Sequence, residues 1–304
     1  MKTLFKVGVS ALLIATASYA PAADVGTTFA SPEEAAQALA TAAGAKNREA
    51  LRALFGLDAD EFVAADQVQM ENDLEKFEEA FQAKHHLTSQ SDTNVILEVG
   101  QDDWPFPIPL VKKDGRWYFD TDAGKEELLN RRIGRDELAT LQTVRAYVEA
   151  QREYAGRDRM GDEVLQYAQK FASTPGKKDG LYWPPDLDGE ISPLGPLVAE
   201  AQEEGYSKKD KVGPVPYHGY YFKILTRQGS HAPGGKYSYI INGRMIAGFA
   251  LVAWPAQYGE SGIMTFIVNQ QGRVYQKDLG PKTDELAPAM TEYDPDSTWR
   301  ASPD

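Results

Sequence analysis

The sequence predicts an α+β protein in two parts: a helical unit that closes with a small sheet, then a long helix packed on an antiparallel β-meander. Three observations carry this expectation. Apolar residues recur at helical spacing up to about residue 84 and then give way to short β-rich runs bounded by glycine and proline, ending near residue 119. A second amphipathic stripe opens at Asp136. From Tyr217 onward strand-like runs succeed one another, two of them separated by Asn242-Gly243, the pair favoured where a two-residue hairpin turn needs positive φ twice.

Ahead of these elements, Lys2 and Lys6 precede an apolar run over 7–20, followed by Ala20-Pro21-Ala22. A positive end, a short apolar stretch and small residues flanking a cut after Ala22 describe a cleavable signal peptide over 1–22. About 14 apolar residues fall short of the roughly 20 that span a bilayer, so no membrane insertion is expected after cleavage. There is no cysteine, which excludes disulfides, a thiol nucleophile and lipidation of an N-terminal Cys. The expected location is the periplasm. The chain carries a formal charge of −13, and loss of the leader removes two lysines and no acid. So acidic a chain, with no basic stripe, repels phosphate backbones, and no nucleic-acid partner is expected. Hydrophobic content of 42 % fits a globular chain.

Residues 23–30 read as a flexible lead to an N-terminal α+β domain over 31–121. Ser31-Pro32-Glu33-Glu34 is a helix start, with the Ser31 hydroxyl capping a free amide, Glu34 reaching back, and Pro32 where no amide hydrogen is needed. That helix runs to about residue 43. A second begins at the cap Asn47 and turns Ala50, Leu51, Leu54 and Phe55 inward; a third, over about 61–84, carries Leu74, Phe77 and Phe81 on one face. His85-His86 reads as its solvated end. Residues 95–99 read as a strand. The alternate prolines of Trp104-Pro105-Phe106-Pro107-Ile108-Pro109-Leu110-Val111 remove ladder donors, so an extended edge segment is expected. A turn at 113–115 leads to a strand at 116–119. Residues 122–135 form a charged, helical connector to a C-terminal domain over 136–300. Its first helix, to about residue 154, carries Leu138, Leu141, Val144, Val148 and Tyr154 on one face. Residues 156–216 are rich in Gly, Pro and Asp, with short helices at 163–172 and 194–204. Strands are expected at 220–226, 237–241, 244–254, 263–269 and 273–277.

Several strings resemble a secreted bacterial family, domain of unknown function 2950. They include the proline-rich run over 104–111, Arg131-Arg132-Ile133-Gly134-Arg135, Ser173-Thr174-Pro175-Gly176-Lys177 with Asp179-Gly180-Leu181-Tyr182-Trp183-Pro184, and Ser192-Pro193-Leu194-Gly195-Pro196-Leu197. Tyr217-His218-Gly219-Tyr220-Tyr221-Phe222, Asn242-Gly243-Arg244-Met245 and Gly248-Phe249-Ala250-Leu251-Val252-Ala253-Trp254-Pro255 complete the set. The resemblance spans nearly the whole mature chain and implies no activity and no catalytic residue. The C-terminal order also resembles the globular heads of type IV pilins and pseudopilins, in which a helix packs on an antiparallel sheet. Where pilins carry an apolar half-helix, this chain has Lys125-Glu126-Glu127-Leu128-Leu129-Asn130-Arg131-Arg132, which does not enter a bilayer or an apolar filament core cheaply. The N-terminal part is similar to cystatin-like or nuclear-transport-factor-like domains.

Catalytic chemistry is poorly supported. Gly259-Glu260-Ser261-Gly262 lacks the second glycine of a nucleophile elbow, because position 263 is Ile263, and a tight turn between strands is expected instead. The adjacent His85 and His86 point apart, a poor zinc geometry. Asp158-Arg159-Met160-Gly161-Asp162-Glu163 echoes a calcium loop, but Met160 stands where an oxygen donor belongs. No metal and no cofactor are expected. Candidate binding residues are the aromatics Trp104, Trp183, Trp254 and Tyr258 beside prolines or glycines, together with His218, Tyr220, Arg244 and Glu260; Trp117 and Phe249 read as core. The expected function is non-enzymatic binding or scaffolding of a cell-envelope component, protein or polymer. The rival expectation is a periplasmic hydrolase using carboxylates such as Glu260 with Asp278, and a third is a ligand pocket in the N-terminal domain.

Overall fold

A computed structural model describes residues 26–56, 67–185, 189–204, 206 and 215–303. The expected signal peptide lies outside the described residues. Helix α1 (Pro32–Gly44) starts as its sequence dictates: the Glu34 amide donates to the Ser31 hydroxyl at 3.2 Å, and the Ala30 amide donates to the Glu34 carboxylate at 3.1 Å. Helix α2 (Arg48–Phe55) is capped by Asn47, and α3 (Gln67–Ala83) follows. Five strands then form one antiparallel sheet: β1 (His85–Ser91), β2 (Asn94–Val99), β3 (Trp104–Pro105), β4 (Leu110–Lys113) and β5 (Arg116–Phe119). In β2, Val95, Leu97 and Val99 point into the core that α1 and α3 cover. Phe29 of the lead pairs with Trp117 of β5 in both directions, at 2.7 and 2.9 Å.

Two expectations for this half are corrected. His85 and His86 do not end a helix; they open β1, where His85 pairs with Val99 and His86 with Glu98. Partnership with β2 overrides the helical reading. The 104–111 segment is an edge only over β3. Leu110 and Val111, beyond the last proline, have their amides back and pair with β2 on one side and β5 on the other.

Helix α4 (Thr121–Ala155) is one continuous helix of 35 residues, so the charged stretch over 122–135 is its first half. It begins earlier than the Asp136 stripe because Asp120 caps it, accepting from the Ala123 amide at 3.2 Å. Gly124 lets the helix approach closely: a Cβ there would sit 2.6 Å from the Ile108 Cα.

After α4 come α5 (Gly195–Glu203), β6 (Tyr220–Leu225), β7 (Arg227–Gln228), β8 (Tyr237–Ser238), β9 (Ile240–Ile241), β10 (Arg244–Met245), β11 (Ala250–Pro255), β12 (Met264–Asn269), β13 (Tyr275–Asp278), α6 (Thr283–Ala289) and β14 (Arg300–Ala301). The main sheet is antiparallel with order β14-β13-β12-β11-β6. Ala250, Leu251, Val252 and Ala253 of β11 are all buried, and α4 and α6 both pack on that strand. Asn242 and Gly243 turn with φ of 50° and 83°, the two positive values their sequence predicts. The expected strand over 244–254 is broken: Gly248 adopts φ 146° and leaves no room for a side chain beside Tyr239, so β10 and β11 belong to different sheets. The expected helix over 163–172 is absent. Its backbone is held extended, the Tyr167 amide donating to the Met245 carbonyl at 2.8 Å and both backbone groups of Ala168 bonding the side chain of Gln151.

Candidate functional site

A cavity of about 630 Å³ opens between α1, α2 and α3, the β2–β3 turn and the first half of α4. This lies within the roughly 300–1,000 Å³ common for small-molecule sites. Its wall is mostly apolar. Phe55 at the end of α2, Phe77 of α3 and Phe106 after β3 form an aromatic box, with centroids 6.4 Å apart for Phe55–Phe106 and 5.4 Å for Phe77–Phe106. These rings pack on the N-terminal core with one side and border the cavity with the other, which is why they are only partly buried. The spacing of phenylalanine and leucine along α3 therefore serves two surfaces at once.

Charge on the wall runs opposite to that of the chain. Among the described residues, Arg48, Arg52, Lys76, Arg131, Arg132 and Arg135 line the cavity with Asp73 and Asp102 against them, whereas the whole chain holds 32 basic and 45 acidic residues. Leu128, Arg131, Arg132 and Arg135 fall at i, i+3, i+4 and i+7, so a single face of α4 brings three guanidiniums to the site. Arg131 lies over the Trp104 ring at 4.5 Å and donates to the Glu127 carboxylate at 2.6 Å and the Pro105 carbonyl at 3.0 Å. Arg135 donates to Asp73 at 2.8 Å. Asp73 keeps 38 % of its side chain accessible because it borders the cavity. Protein crowding elsewhere raises its carboxyl above the usual range, outweighing the downward pull of Arg135. Burial lowers the Arg132 guanidinium from its ordinary value against the upward influence of Asp136.

One residue further along, the cavity wall becomes the junction with the C-terminal sheet. Asp136 is 1 % exposed and its Oδ1 accepts from the Gln69 side-chain Nε2 at 2.7 Å. A Cβ at Gly219 would lie 2.7 Å from its Oδ2, so the turn entering β6 closes over the carboxylate. Glu137 Oε1 accepts from the amides of Ile263 and Met264, both at 2.9 Å, which pins α4 to the start of β12.

Of the sequence-derived candidates, Trp104 lines this cavity, with 46 % of its surface exposed. The others lie elsewhere. Trp183 is core, its Nε1 donating to the Glu190 carbonyl at 3.1 Å with Arg159 and Lys178 over the ring. Tyr220 is fully buried and donates to the Met264 carbonyl at 2.9 Å. His218 sits at φ 46° against the Tyr206 and Tyr217 rings, which also contact each other, and lies 3.4 Å from Glu204. Arg244 pairs with Asp162 at 2.7 Å. Trp254 lies against Tyr221, Tyr258 reaches Asp278 at 3.3 Å, and Glu260 is exposed. Trp117 and Phe249 are buried. Ser261 is 3 % exposed and shares two hydrogen bonds with the Gln257 backbone, the arrangement of a turn. Asp158 turns its carboxylate onto the amides of Met160, Gly161 and Glu163, which lowers its pKa and fixes the loop by itself.

The residues that sequence reasoning missed are the aromatic box and the α4 arginines. The signal for the latter was present as the i, i+3, i+4, i+7 spacing. What it faces depends on how α4 crosses the N-terminal helices and sheet.

No curated protein matches the chain, and no solved structure matches it. A family model described as "Protein of unknown function (DUF2950)" matches residues 26–302. The chain belongs to the DUF2950 family.

Proposed function

We propose that this is an exported, non-enzymatic binding protein of the periplasm, and that its N-terminal cavity is where an envelope component is held. The leader over 1–22 supplies the export signal. The observation that carries the binding reading is the cavity itself, about 630 Å³ with three aromatic rings in its wall. Exposing that much apolar wall to water is unfavourable by roughly 25 cal/mol per Å², a cost that an apolar ligand relieves on binding. The C-terminal unit, a helix laid on an antiparallel sheet as in pilin heads, serves as the scaffold. Its helix reaches out of the sheet to form one wall of the cavity, so the ligand site is tied to a rigid element. Among the described residues no helix is long and apolar enough to cross a membrane, and no group of His, Asp or Glu forms a metal site.

The test is uptake of the apolar dye N-phenyl-1-naphthylamine, whose fluorescence rises on leaving water. The wild-type protein should bind it saturably with one site. Ala80→Trp, which fills the cavity from α3, should abolish the signal while retaining the far-UV circular dichroism spectrum. Met70→Trp provides a second filling variant from another position on the same helix. Saturable dye binding that survives both substitutions in folded protein overturns the assignment of the site.

A further inference from the structure

We infer that the occupant of the cavity is a single-chain amphiphile with an anionic head, its chain among Phe55, Phe77 and Phe106 and its head against Arg131, Arg132 and Arg135. This rests on the cavity being the ligand site and adds the chemical class of the ligand. An apolar wall alone is satisfied by any hydrocarbon. The cations are what need explaining, because a strongly acidic chain here assembles six of them around apolar residues. Their present partners leave the arrangement open to exchange. Arg131 with Glu127 and Arg48 with Glu71 are solvent-exposed pairs, with carboxylate side chains 51 % and 53 % accessible. Such pairs contribute little, and an anion seated beside an apolar wall competes with them on favourable terms. Asp73, which pairs with Arg135 at 2.8 Å, keeps 38 % of its side chain accessible, and Arg135 46 %, so this pair too is open to solvent. Guanidiniums are suited to the task, since their planar fork bonds carboxylate and phosphate oxygens in pairs. The volume, about 630 Å³, is in the range of sites that enclose a single small ligand.

The experiment is displacement of the bound dye from the full exported chain by decan-1-ol, decanoate and decyl phosphate. These share a chain and differ in the head. At least one anion should displace the dye at about tenfold lower concentration than the alcohol, the factor that one hydrogen bond to a charged group supplies. Whichever anion leads identifies the head as carboxylate or phosphate. Arg131→Gln with Arg135→Gln should remove the preference, so that the anions displace the dye no better than the alcohol does, with the far-UV circular dichroism spectrum reporting that the variant is folded. As a second measurement on unaltered protein, raising salt from about 50 mM to about 500 mM should shrink the anion's advantage and not the alcohol's potency. Equal displacement by alcohol and both anions overturns the inference while leaving the cavity as a binding site. Absence of dye uptake by the wild-type protein overturns both.

Discussion

Gln151 offers the sharpest test of how the second half is held together. It lies on α4, is fully buried, and clamps a segment that has no regular structure of its own. Its Oε1 accepts from the Ala168 amide at 2.9 Å, and its Nε2 donates to the Ala168 carbonyl at 2.8 Å and to the Tyr147 hydroxyl at 3.0 Å. Gln151→Leu keeps the volume and removes all three bonds. Tyr147 retains the Ala250 carbonyl at 3.2 Å, so the principal loss falls on Ala168, itself 1 % exposed. Two buried backbone groups without partners cost about 1–3 kcal/mol each. The added apolar burial of leucine offsets roughly 1–2 kcal/mol of that. The net expectation is a loss of about 3 kcal/mol. In a cooperative unit of this size that corresponds to a fall of roughly 6–12 °C in melting temperature. Urea unfolding followed by tryptophan fluorescence, with Trp183, Trp254 and Trp299 as reporters in the same half, reads the change. A loss below about 1 kcal/mol would mean that Ala168 finds other partners, and the clamp argument would fail.

Two further outcomes are expected. The His231 imidazole bonds Asp294 at 2.9 Å, and that carboxylate raises its pKa above the ordinary histidine value. Its stabilising contribution is therefore present at pH below the ordinary histidine range and is lost as pH rises through the folded midpoint. An NMR titration should place that midpoint high, and Asp294→Asn should bring it back down; an unshifted wild-type midpoint contradicts the pairing. Gly262→Ala would set a Cβ 2.0 Å from the buried Tyr220 hydroxyl, and the overpacking should cost about 1–3 kcal/mol in the same urea assay. A neutral result there would show that Tyr220 has space to move.

What the sequence determined by itself was local. Caps, turns and periodicities act over four or five residues, and Ser31, Asn47 and the Asn242-Gly243 turn behave as those short-range rules require. The α+β class and the long helix beside a meander follow from the same patterning. The tertiary structure decided which neighbour each segment meets. His85 and His86 form a strand because β2 lies beside them, and residues 163–172 are not helical because Met245 and Gln151 bond the backbone groups of Tyr167 and Ala168. The cavity belongs to this second category. Its arginines on α4 and phenylalanines on α2, α3 and the segment after β3 are separated by up to about eighty residues of chain. Periodicity shows which residues share a helix face. Only the docking of α4 against the N-terminal helices and sheet shows that the face turns three cations toward an apolar hollow.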